Sequence, residues 1–99
     1  MSVIHVDYTN ARAQARKLDQ AANECADIVR NLTTTLNIVS SYWSGDAAEA
    51  YKAEIRNEIN RLKSTQSELQ SVASTIRKVV EDLEEAERKA LEKINSLPG

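Results

Sequence analysis

The chain has 99 residues, 41% hydrophobic and 28% charged, with 13 basic and 15 acidic residues that leave a net charge of -2. That length holds one small domain, residues 1–99, and the interleaved charges leave no basic stripe for phosphates, so nucleic-acid binding is not expected. No stretch approaches the roughly 20 apolar residues of a membrane span, so stable membrane insertion is not expected either.

The first residues, Met1 to Asp7, carry neither a basic n-region nor an apolar h-region, so no cleaved secretory signal is expected. The protein is then made in the cytoplasm and either stays there or leaves by a route that reads a folded or C-terminal signal. Val3-Ile4-His5-Val6 is the one strand-like run, and it has no evident partner strand. Its His5 is the only histidine and has no carboxylate arranged around it.

Next comes a seam. Tyr8, Ala11, Ala15, Leu18, Ala22, Cys25, Val29, Leu32, Leu36 and Val39 alternate spacings of three and four without exception, as in a heptad repeat. Asp7 is placed to accept from free N–H groups of the first turn. The pattern predicts a first helix from about Tyr8 to Ser41, roughly 50 Å long.

Residues 42–45 break that pattern. They hold the only tryptophan, Trp43, and one of two glycines, Gly45, between long segments that lack proline and glycine. A breaker between two helical patterns predicts the turn of a hairpin, and Gly45 permits a tight reversal. An apolar ring in such a turn suggests a surface that meets a partner.

Beyond the turn, Ala48, Ile55, Leu62, Leu69, Ile76, Leu83, Ala90 and Leu97 form a strict seven-residue row, with Tyr51, Ile59, Val72, Ala73, Val79, Val80, Ala86 and Ile94 as weaker companions. Asp46 and Glu49 fit a capping box. A second helix from about Asp46 to Asn95 follows, on the order of 75 Å long, and overhangs the first by roughly 20 Å at its C-terminal end. Within it, Ser64-Thr65-Gln66-Ser67 is a polar dip, and Glu84–Arg88 and Glu85–Lys89 are expected as i,i+4 pairs.

The expected fold is all-α: an antiparallel helical hairpin that dimerises into a four-helix bundle. One hairpin leaves apolar residues uncovered beside each seam, and a second hairpin buries them. The packing residues are Leu18, Ala22, Cys25, Val29, Leu32 and Leu36 on the first helix and Ile55, Leu62, Leu69 and Ile76 on the second. Cys25 is the sole cysteine, so no intrachain disulfide forms. One cysteine and one histidine do not make a metal site, and two glycines do not make a phosphate loop. No catalytic residue, metal or cofactor is expected.

A chain of about 100 residues with two helices and a central Trp-x-Gly turn resembles the WXG100 family, the ESAT-6-like small proteins of type VII secretion. The likeness extends through Trp43-Ser44-Gly45-Asp46-Ala47-Ala48-Glu49-Ala50-Tyr51, with small residues and then an aromatic after the turn. The resemblance implies a bacterial protein exported folded, as a homodimer or heterodimer, by an ATPase-driven membrane machine to the cell surface or beyond. It also implies a bipartite export signal: the turn motif, here Trp43 and Gly45, and a motif late in the partner's second helix. The Tyr-x-x-x-Asp/Glu form of that second motif is missing, because no tyrosine follows Tyr51. A looser hydrophobic-acid-hydrophobic pattern falls on Leu83, Glu87, Ala90 and Ile94. Three roles stay open: a secreted substrate or co-secreted partner, a targeting adaptor on the helical N-terminal domain of a larger toxin, and a structural coiled coil.

Overall fold

A computed structural model describes residues 7–98, so the Val3–Val6 run and His5 lie outside the described residues. Among those residues there are two helices and no strand: α1 (Tyr8–Tyr42) and α2 (Asp46–Asn95), folded back as a rod of 83 × 19 × 17 Å.

Asp7 caps α1 as its position suggests, its carboxylate accepting from the Asn10 N–H at 2.9 Å. The start of α2 departs from the expected capping box. Gly45 occupies the cap and no side chain caps the helix, which makes Asp46 the first helical residue. Glu49 then falls one residue too late to reach back. It accepts instead from Lys52 at 2.9 Å, and both acids sit in the first turn at the positive end of the helix dipole.

Inward positions on α2 follow spacings of four and three from Ala48 to Val80. The heptad row of Ala48, Ile55, Leu62, Leu69 and Ile76 is joined by a second row four residues on: Lys52, Ile59, Gln66, Ala73 and Val80. Of the expected companions, Ile59, Ala73 and Val80 are buried, whereas Tyr51, Val72 and Val79 are each about half exposed. Those three miss the second row by one residue, and one residue turns a helical side chain by about 100°. On α1, Ala15, Ala22 and Val39 are buried; Leu18, Cys25, Val29, Leu32 and Leu36 are half-buried beside them.

The two halves of the rod are packed differently. Near the turn, Val39, Ile55 and Ile59 form a core flanked by Val29, Leu32 and Leu36. Farther along, Ala15, Ala22 and Ala73 have no exposed surface at all, and such small side chains let the helix axes approach closely. One edge there is laced by two ion pairs between helices, Arg12 with Glu84 and Arg77 with Asp19. Each is about two-fifths exposed, so they fix register more than they add stability.

That register corrects the overhang. Arg12 opposite Glu84 places Tyr8 beside Glu87, so α2 extends past α1 only from about residue 88 to Asn95, roughly 12 Å. The remaining length difference lies at the turn, where the extended Trp43 runs beside the first turns of α2. Leu83 and Ala90 of the heptad row are exposed, and Leu97 lies beyond the helix end. The same register redirects Glu84 to Arg12, so its expected pair with Arg88 is not made. Lys89 does reach Glu85, at 3.3 Å, and Arg88 pairs with Glu85 and Glu92. The polar dip at Ser64–Ser67 does not interrupt α2.

Candidate functional site

At the tip, α1 ends at Tyr42, and Trp43 takes an extended conformation while its N–H still donates to the Val39 carbonyl at 2.8 Å. This carries the indole alongside α2, where its ring centroid lies 5.7 Å from that of Tyr51 with the planes tilted by 41°. Such tilted pairs are stabilising by about 1 kcal/mol. The indole is therefore held in place, yet it remains 56% exposed, and Tyr42 beside it is 82% exposed. Three of the four aromatic residues thus cluster at one end of the rod.

Gly45 has φ of 101° and ψ of 176°, a region that side chains with a Cβ avoid. Nothing lies within 4 Å of where a Cβ would stand, so the backbone angle alone requires glycine. Gly45→Ala is expected to destabilise the hairpin by about 1–3 kcal/mol through backbone strain, as measured by urea unfolding. An unchanged midpoint would mean that the turn relaxes freely.

Lys52, only 7% exposed, lies in the inward row just past Tyr51. Its ammonium donates to Glu49, and this hydrogen bond, with the lysine charge, holds the Glu49 carboxyl below the usual carboxylate range. A buried lysine here was not evident from the seven-residue row. Its position four residues after Ala48 is the signal that identifies it.

At the other end, Leu83, Glu87, Ala90 and Ile94 are all exposed, Leu83 at 40% and Ile94 at 62%. Leu91 and Leu97 are exposed near them. The Tyr8 hydroxyl is shielded from solvent and closes no hydrogen bond of good geometry in this structure. The register set by Arg12 and Glu84 brings Tyr8 level with Glu87. Hydrogen bonding toward Glu87, loss of hydration, and the charges of Glu87 and Glu84 push the Tyr8 pKa up to about 12.

The two ends are joined by an uncovered flank. Leu18, Ala21, Cys25, Ile28 and Leu32 advance along one side of the α1 stripe, and Leu62, Leu69, Val72, Ile76, Val79 and Leu83 along the matching side of α2. The ion pairs Arg12–Glu84 and Asp19–Arg77 occupy the opposite edge. A shallow groove of about 270 Å³ on that edge is lined by Arg12, Arg16, Arg77 and Glu81. All of the packing residues named from the sequence except Ala22 and Ile55, which are buried, remain half-buried in the single hairpin.

Among the described residues, no cluster of His, Cys, Asp or Glu is arranged to hold a metal ion, and no helix is long and apolar enough to cross a membrane. Cys25 is a free, half-buried thiol on the apolar flank.

The family model WXG100, "Proteins of 100 residues with WXG", matches residues 3–88. No curated protein and no solved structure matches the chain. WXG100 membership implies a small helical substrate of type VII secretion that works in protein–protein pairs. With the match running through α1, the Trp43-Ser44-Gly45 turn and α2 as far as residue 88, the chain belongs to the WXG100 family.

Proposed function

We propose that this protein is a non-catalytic secreted substrate or co-secreted partner of a type VII system, acting as a dimer of hairpins. The observation that carries this reading is the uncovered flank, which runs from the Trp43–Tyr51 pair at the tip to Ile94 in the overhang. Ile28, Val72, Val79 and Leu83 are 40–50% exposed along it. A second hairpin laid on this side removes them from water and completes a four-helix bundle.

The placement of the two candidate signal elements supports the same arrangement. Tyr51 and Glu87 lie on one helix about 50 Å apart, so a single protomer cannot bring tip and overhang together. An antiparallel two-fold pairing across the flank sets the tip of each copy beside the overhang of the other. In that pairing Trp43 and Gly45 form one half of the surface read by the secretion ATPase. Leu83, Glu87, Ala90 and Ile94 of the partner form the other half.

Sedimentation equilibrium of the purified chain tests the assembly, and secretion of Glu87→Ala tests the second half of the surface. A stable homodimer and reduced export of the variant are the expected results. Pairing only with another WXG100-like chain replaces the homodimer by a co-secreted heterodimer, and a chain that stays monomeric or pairs only with the helical domain of a toxin overturns this reading in favour of an adaptor role. Unchanged secretion of Glu87→Ala returns that carboxylate to an ordinary solvated helix face.

A further inference from the structure

We propose that Tyr8 is a positioning residue for the Glu87 carboxylate, so that the candidate export face is built by both helices rather than by α2 alone. This rests on reading Leu83, Glu87, Ala90 and Ile94 as that face. Tyr8 is the first residue of α1, held by the Asp7 cap, and the Arg12–Glu84 pair one turn later fixes its height against α2. At that height each group lacks what the other offers. The Tyr8 hydroxyl is shielded from water without a bonded partner, and a buried hydroxyl left in that state is costly. Around Glu87, the nearest acids are taken: Glu84 by Arg12, Glu85 by Arg88 and Lys89, and Glu92 by Arg88. Glu87 forms no ion pair among the described residues.

A phenol donating to a carboxylate makes a charge-assisted hydrogen bond, the stronger kind. Closing it restricts a side chain that otherwise swings freely on an exposed helix surface, and it fixes which carboxylate oxygen points outward. The raised Tyr8 pKa agrees with this geometry. The charged groups acting on the phenol are Glu87 and Glu84, both from α2. The first turn of α1 thereby becomes part of the export face.

Tyr8→Phe keeps the ring and removes only the hydroxyl, which preserves the packing of α1. Spectrophotometric titration of the full chain is expected to show a phenol ionising near pH 12. That step should vanish in Tyr8→Phe and fall toward the ordinary value of about 10 in Glu87→Gln. The Glu87 carboxyl carbon signal should move in Tyr8→Phe while those of Glu85 and Glu92 stay. Export of Tyr8→Phe should drop about threefold or more, and adding Tyr8→Phe to Glu87→Ala should lower export no further, as for two residues acting through one contact. A Tyr8 titration unaffected by Glu87→Gln overturns the contact. An intact contact with normal export of Tyr8→Phe overturns the positioning role. Normal export of Glu87→Ala overturns the export face and this proposal with it, and the titration still reports whether the contact exists.

Discussion

Trp43→Ala is expected to reduce export roughly tenfold or more while leaving helicity unchanged, because exposed aromatic anchors carry most of the energy of a recognition surface. Within the hairpin the indole gives up little. It is 56% exposed, lies outside both helices, and rests only against Tyr51 as an aromatic pair. Its loss therefore separates recognition from folding. Tyr51→Ala removes the support but keeps the indole, and it should give a smaller defect in the same direction. Circular dichroism checks the fold, and the ratio of secreted to cellular protein reads the effect. Normal secretion of Trp43→Ala would end the case for the tip as a recognition surface.

Ile59→Ala should have the opposite character, losing stability rather than recognition. Ile59 is 8% exposed at the centre of the cluster with Val39 and Ile55, and truncating such a side chain costs about 2–4 kcal/mol. Few other large side chains in this thin rod are as well covered, so the urea midpoint should fall markedly. Val79→Ala is the useful contrast. Half exposed on the open flank, it should barely change the unfolding of one hairpin and should instead weaken association between hairpins. If Ile59→Ala unfolds at the wild-type midpoint, the packing described for the tip-proximal half is wrong.

The helices were legible because the apolar spacing of α1 is uninterrupted and its capping aspartate stands where the pattern begins. α1 runs one residue further than expected, to Tyr42, and α2 has the expected bounds. The second inward row of α2 was harder to read. Two of its members, Lys52 and Gln66, are polar, so composition favoured Tyr51 and Val72, each one residue from an inward position. The cap of α2 was misread for a related reason. Aspartate and glutamate at the right interval suggest a capping box, but the backbone of Gly45, with its positive φ, had already taken the cap position.

The placement of Tyr8 level with Glu87 was not legible at all. It depends on register between residues far apart in the chain, and register is set by how far the Trp43–Gly45 segment climbs along α2 before the helix begins. A sequence shows the length of that connection but not its direction. The same climb explains why the overhang is shorter than the difference between helix lengths suggests. The turn was picked out by residue types and spacing, whereas its candidate helical counterpart came from the family resemblance. Their separation along one rod, and their shared flank, required the fold.

The fully buried alanines have a consequence for the width of any assembly of these hairpins. By bringing the helices together, Ala15, Ala22 and Ala73 help keep the hairpin slender, with short axes of 19 and 17 Å. In the proposed four-helix bundle two such rods lie side by side, so the width of the assembly starts from the helix spacing that these alanines set. A bulky residue at Ala22 would widen the waist of the rod as well as strain it. The fit of one hairpin against another would then place its own limit on these three positions.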